Sequence, residues 1–159
     1  MITIEVNISI QTMLVFENKK QIKEYIISTA KNGPGEVRGS EQTPRGWHMI
    51  RAKIGANQPV NMVFVGRRPT GEVYTNTLRE KFPERDWILT RILWLSGLEL
   101  HKNRLGNVDT MGRYIYIHGS PDDVNMGTPG SRGCIRMHNH HIIELFNLIP
   151  VFTRILVKE

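Results

Sequence analysis

The chain has 159 residues, 40% of them hydrophobic and 23% charged, with 21 Lys and Arg against 15 Asp and Glu for a net charge of +6. That length argues for one domain, residues 1–159, around one core, and no apolar run approaches the roughly 18 residues of a membrane span. One cysteine excludes an intrachain disulfide and a cysteine-rich zinc site.

In chain order, apolar and polar residues alternate through Ile2-Thr3-Ile4-Glu5-Val6-Asn7-Ile8, the period of a half-buried strand. Met13 to Phe16 and Lys23 to Ser28 read as two more strands, with Glu17-Asn18-Lys19-Lys20 as a hairpin turn. Asn32 to Pro44 is rich in Gly and Pro and reads as a loop. Strands resume at Gly46 to Ile54 and Val60 to Gly66. A turn at Thr70-Gly71 precedes a short strand over Glu72 to Asn76. Trp87 to Leu95 is an apolar strand containing Arg91, and Arg113 to His118 alternates again, with Tyr114 and Tyr116 as cross-strand packing. Ile142, Leu145, Phe146 and Ile149 follow i, i+3, i+4, i+7, an apolar helical stripe. Asn139 is its expected N-cap and Pro150 its stop. Val151 to Val157 forms a last strand. The expected fold is mainly β, a sandwich or barrel with one C-terminal helix.

The basic excess either solvates the surface or meets an anionic ligand. Its charges are scattered singly or in pairs such as Lys19-Lys20 and Arg67-Arg68. No basic helix, zinc-finger spacing or aromatic RNA-binding motif is present, so nucleic acid is not an expected partner. A peptide with several free carboxylates suits the charge as well. Met1 to Phe16, broken by Thr3, Glu5, Asn7, Ser9 and Gln11, lacks the basic start and apolar middle of a signal peptide. A cytoplasmic location is expected; a periplasmic one is the alternative if an export signal has been removed. No membrane association, obligate protein partner or cofactor is implied.

A lone cysteine is a buried filler or a reactive thiol, and its surroundings favour the second. His118-Gly119-Ser120 is followed, ten residues later, by Ser131-Arg132-Gly133-Cys134-Ile135-Arg136-Met137. A thiol near pKa ~8.5 is mostly protonated at neutral pH, and an adjacent imidazole can take its proton and leave an ion pair. His118 ends one expected strand and Cys134 starts another, so neighbouring strands bring them within hydrogen-bond reach. Gly119 and Gly133 leave room for substrate and allow unusual backbone angles. The N–H groups of Gly133 and Cys134 are candidates for an oxyanion hole. Arg91, inside an apolar run, must be paired, either as a structural ion pair or as a substrate anchor. His138, His140 and His141 cluster without a carboxylate or cysteine partner, so a metal is not expected there.

These residues resemble the signature of the L,D-transpeptidase catalytic domain, His-Gly-(Thr/Ser) … Ser-His-Gly-Cys-Ile-Arg-Met followed by a helix. The opening hairpin, Ile27-Ser28-Thr29-Ala30, Thr43-Pro44-Arg45-Gly46-Trp47 and the closing helix and strand extend the likeness over nearly the whole chain. The resemblance implies a cysteine acyl-enzyme mechanism on the peptide stems of peptidoglycan or muropeptides. It makes Cys134 the nucleophile and His118 the base, with a backbone carbonyl of Gly119 or Ser120 orienting the imidazole. Arg136 matches the motif arginine, which binds a substrate carboxylate or braces the cysteine loop. Two positions depart from the pattern: the second motif histidine is Arg132 here, and an aspartate early in the helix is His141. Arg132 is expected to lower the thiol pKa or to grip a stem carboxylate. With Ser131, Arg136 and Arg91 it completes the candidate substrate-binding set. Lacking a visible export signal, the chain resembles the family's signal-less members, which trim recycled muropeptides. L,D-carboxypeptidase activity is therefore favoured, with 3→3 crosslinking as the alternative.

Overall fold

The computed structural model describes all residues, Met1–Glu159. The alternation at the N-terminus forms β1 (Ile2–Asn7), whose Ile4 and Val6 point inward and are fully buried. It pairs antiparallel with β2 (Thr12–Glu17), which pairs in turn with β3 (Lys20–Ile26). Asn18 and Lys19 make the two-residue turn between β2 and β3, both at positive φ. That geometry matches the twist of the flanking strands. β4 (Gly46–Ile54) follows the loop and lies against β7 (Ile88–Gly97).

Between them the structure departs from the expected turn at Thr70-Gly71. β5 (Met62–Val65) and β6 (Arg68–Val73) join through Gly66-Arg67, again at positive φ. Of the expected strand over Glu72 to Asn76, Glu72 and Val73 end β6, and Asn76 instead starts a short helix, α1 (Asn76–Lys81). Thr75 caps it by accepting from the Leu78 N–H. The helix buries no residue, so no apolar stripe marks it.

The remaining elements are β8 (Tyr116–Gly119), β9 (Ile135–Met137), α2 (Asn139–Leu148) and β10 (Arg154–Lys158). Val151 and Phe152, expected in the last strand, turn instead, with Phe152 at positive φ. The sheet runs β3-β2-β1-β10-β4-β7-β5-β6, and β8 adds to β7 with β9 parallel beside it. Its curl encloses a core of 20 buried apolar residues, into which α2 sends Ile142, Leu145 and Phe146. Burial of such side chains stabilises by about 1.5–3 kcal/mol each. A smaller cluster of Met62, Phe64, Ile92 and Tyr116 packs against Cys134. The mainly β architecture with a helix after the cysteine loop is as expected. No helix is long and apolar enough to cross a membrane.

One buried polar group ties this fold to pH. His48 is fully buried on β4, its Nδ1 3.0 Å from the Gly46 carbonyl and its Nε2 2.8 Å from Thr110 Oγ1. A carbonyl only accepts, so Nδ1 carries the proton and Nε2 accepts from the hydroxyl. Burial pushes the imidazole down to about 4. The unfolded chain then binds the extra proton below pH ~6.5 while the native state does not, so stability is complete above ~6.5 and falls towards pH 4. The loss by pH 4 is about 3 kcal/mol. Chemical denaturation at pH 7 and pH 4.5 should show this drop, and His48→Gln should reduce it.

Candidate active site

β8 and β9 set the frame of the site. Their parallel register places Ile117 beside Ile135 and His118 beside Arg136. Side chains alternate along a strand, so Tyr116 and His118 share one face of β8, while Cys134 immediately precedes β9. The two segments are neighbours, as expected, but the expected hydrogen bond between thiol and imidazole is not formed. The sulfur itself is turned along β8: it accepts from the Tyr116 N–H at 3.3 Å and lies 3.5 Å from the Tyr114 carbonyl, to which the thiol donates. It makes no hydrogen bond to His118.

The imidazole is locked by its neighbour. His118 is 1% exposed, and its Nδ1 lies 2.6 Å from the Gly119 carbonyl. Of the two expected carbonyls, Gly119 is therefore the one engaged. Nδ1 must donate, which leaves Nε2 as the basic nitrogen. Gly119 is held in turn by Asn139, the first residue of α2. Asn139 Oδ1 accepts from the Ser120 N–H at 3.1 Å and from Thr90 Oγ1 at 2.7 Å, and its Nδ2 donates to Asn61 Oδ1 at 2.9 Å. This explains why Asn139 is not the helix N-cap: His138 occupies that position, without a side-chain cap bond. Thr90, a β-branched residue at φ 76, is strained in the bulge of β7. A Cβ on Gly119 would sit 2.4 Å from Asn139 Oδ1 and 2.7 Å from the Leu89 carbonyl. Gly119→Ala is thus expected to displace the His118 brace and lower acyl-transfer activity by about a hundred-fold, read in single-turnover assays. Unchanged turnover would contradict this role.

The loop before Cys134 is tied down on several sides. Ser131 Oγ donates to the Cys134 carbonyl at 2.6 Å and accepts from the Gly133 N–H at 3.1 Å. Thr43 Oγ1 donates to the Gly133 carbonyl at 2.8 Å. Gly133 adopts φ 133, which favours glycine. These bonds correct two expectations. The Gly133 N–H already has a partner, so it is not a free oxyanion donor, whereas the Cys134 N–H has none within the protein. Ser131 braces the loop through both functions of its hydroxyl.

Burial favours the neutral forms of both thiol and imidazole, against the expected ion pair. Burial pushes the Cys134 thiol up to about 12; Asp86 adds to this, while the Tyr116 N–H, Arg113 and Arg136 pull against it. Burial likewise holds His118 below its usual value, with Arg136 acting the same way and Asp86 and the Gly119 carbonyl opposing. Arg132 does not act on the thiol as expected. It is exposed, donating to the Glu84 carbonyl at 3.3 Å.

Cys134 is partly exposed in a cavity of about 510 Å3 that Phe64, Ile88, Ile92 and Tyr116 also line. Three arginines, Arg67, Arg113 and Arg132, share that cavity with one acid, Asp86. A second cavity of about 250 Å3 adjoins it across Asp86 and Arg132 and is lined by Ser131 and Arg136. Arg136 Nη2 donates to Ser28 Oγ at 3.3 Å, while its buried Nε has no partner and no carboxylate lies in salt-bridge range. Arg91 lies in neither cavity. It donates to the Gln58 and Thr90 carbonyls at 2.8 and 2.6 Å and stacks over Phe146, so it clamps backbone rather than anchoring substrate. His138, His140 and His141 cluster at the start of α2, His138 stacked on His140 and His141 set edge-on or tilted to both, with His140 exposed.

Sequence reasoning missed Arg113, Arg67, Asp86 and Asn139. Arg113 is half-buried, its Nη1 and Nη2 donating to the Gly35, Glu36 and Gln42 carbonyls and Ser40 Oγ. Asn139, two residues past the motif, was the one with a visible signal.

A curled sheet that sets a lone cysteine beside a buried, carbonyl-braced histidine defines a class of cysteine-centred domains. Comparison with known proteins makes the class specific. The model of the YkuD family, the L,D-transpeptidase catalytic domain, matches residues 2–157, and the chain belongs to that family. Among curated relatives, YkuD of Bacillus subtilis, named a candidate L,D-transpeptidase, is 35% identical over 91 residues, 57% of this chain and 45% of that protein. YqjB of the same organism, similarly named, is 46% identical over 50 residues, 31% of this chain and 28% of that protein. Among solved structures, an L,D-transpeptidase from Mycobacterium smegmatis superposes with a TM-score of 0.60 at 15% identity, covering 99% of this chain and 58% of the other. L,D-transpeptidase 3 from Mycobacterium tuberculosis, in complex with a faropenem-derived adduct, gives 0.60 at 14%, covering 99% and 60%. At such identities the likeness shows the fold. The matched stretches span less than half of the two curated relatives.

Proposed function

We propose that this domain carries out cysteine-dependent L,D-acyl transfer on the peptide stems of peptidoglycan. The observation that carries the reading is Cys134, beside the His118 strand, in a cavity where three arginines face one aspartate. A stem peptide with free carboxylates suits that charge. In the first step Cys134 Sγ turns from the Tyr114 carbonyl towards His118 Nε2, which takes its proton as sulfur attacks the carbonyl of the stem's diamino acid. The Cys134 N–H faces the developing oxyanion. Collapse breaks the bond to D-alanine, whose amine takes the proton from His118, leaving a thioester. Neutral resting partners fit this sequence, because the proton moves during attack rather than before it.

The acceptor decides the product. The adjoining cavity at Ser131 and Arg136 is large enough for the amine-bearing end of a second stem, which supports an amine acceptor and a 3→3 crosslink. Hydrolysis to a tripeptide, the L,D-carboxypeptidase reaction, is the second reading, supported by the partial exposure of Cys134 to water. Incubation with a disaccharide tetrapeptide and mass analysis of products separates them. Crosslinked dimers support transpeptidation, tripeptide alone supports trimming, and release of no D-alanine would refute both. Location, whether cytoplasmic or periplasmic, is a separate proposal that export-reporter fusions of the native gene would test.

A further inference from the structure

Arg67 stands at the second position of the β5–β6 turn, at φ 63, and reaches back over the cavity. Its guanidinium lies 4.7 Å from the Trp94 ring centroid and 4.8 Å from that of Tyr114. Nη1 donates to Tyr116 Oη at 3.0 Å. No carboxylate lies in salt-bridge range of it. Two of these contacts also hold the reacting sulfur: the Tyr114 carbonyl receives the Cys134 thiol, and the Tyr116 N–H donates to it. The same two residues therefore fix the cation and the nucleophile relative to one another.

The three cavity arginines differ in what they have left to offer. Arg113 spends both terminal nitrogens on protein acceptors. Arg132 is exposed, with one long bond to the Glu84 carbonyl. Arg67 is held by contacts with the faces of two rings and by one bond to a phenol. Its remaining N–H groups lie in the guanidinium plane, where a carboxylate binds through two parallel bonds. An arginine held this way is preorganised for such a ligand, because little side-chain freedom remains to be lost.

We propose that Arg67 is a specificity-determining residue that binds a free carboxylate flanking the scissile amide. This rests on the stem-peptide reading above and deepens it. Two carboxylates flank that bond in a tetrapeptide whose diamino acid is meso-diaminopimelate and which ends in D-alanine: the side-chain carboxylate of the diaminopimelate and the terminal carboxylate of D-alanine. Both present the same chemistry to the guanidinium, and amidation removes either one singly.

The test measures kcat/KM for acylation with three tetrapeptides: unmodified, amidated at the diamino acid, and amidated at the terminal D-alanine. The unaltered protein should lose roughly ten- to hundred-fold on one of the two amides, the size expected for a lost charge-assisted pair. Arg67→Met should show the same loss on the unmodified peptide and no further loss on that amide. Arg67→Lys, which keeps the charge and loses the fork, should fall between them, and it covers the case in which the Met variant does not fold. The amide that ceases to matter identifies the carboxylate. If Arg67→Met and Arg67→Lys keep the ratios of the unaltered protein, Arg67 reads neither carboxylate and the inference is overturned while the function stands. If the unaltered protein forms no thioester with any of the three, the function and this inference fall together.

Discussion

Replacing Cys134 with Ala is expected to end acyl transfer, lowering the rate by about a thousand-fold or more, while leaving the domain folded. Cys134 is only partly buried, and its hydrogen bonds are two long contacts to backbone groups of Tyr114 and Tyr116. Stability should therefore change by less than about 1 kcal/mol. Cys134→Ser should be severely impaired as well, because a hydroxyl gives up its proton less readily than a thiol already pushed up to about 12. Denaturant titration paired with single-turnover acylation separates the two effects. A Cys134→Ala variant that still releases D-alanine would show that the sulfur is not the nucleophile.

Loss of the base should be the next largest effect. His118→Gln keeps a donor for the Gly119 carbonyl but has no nitrogen that can take the thiol proton. The acylation rate should fall by roughly a hundred- to ten-thousand-fold. The pH profile carries a second signature. Burial holds the His118 imidazole below its usual value, so the neutral, basic form persists from neutral pH down past pH ~6.5. The acid limb of kcat/KM should therefore lie below that of an ordinary histidine. In His118→Gln that limb should vanish, with residual activity rising only as the thiol itself ionises. An acid limb that survives the substitution unchanged would assign the base elsewhere.

The parts of this molecule that were legible in its sequence are those governed by short-range pattern. Ile4 and Val6 declare β1 by alternation, and Ile142, Leu145 and Phe146 declare α2 by helical spacing. The His118 and Cys134 motif marks the candidate pair because its residues lie within one stretch of chain. What stayed hidden depends on long-range placement. The six residues of α1 bury nothing and so carry no stripe. Arg113, Asp86 and Arg67 come from three separate segments and meet only when β5, β7 and β8 lie side by side. Arg91 left two readings open, and only the Gln58 and Thr90 carbonyls beside it decide for a structural role. Asn139 looked like a helix cap because Asn favours that position. Its side chain instead holds Thr90 and Ser120. The resting ion pair is disfavoured for a similar reason. Sequence shows a thiol and an imidazole near one another, but not the burial that favours the uncharged form of both.

Intact-protein mass spectrometry during incubation with a disaccharide tetrapeptide addresses the covalent step itself. A transient adduct with the mass of the stem less D-alanine, mapping to the peptide that contains Cys134 and lost on treatment with hydroxylamine, is the expected result. Release of D-alanine with no such adduct, or an adduct on any other residue, would contradict a cysteine thioester at this site.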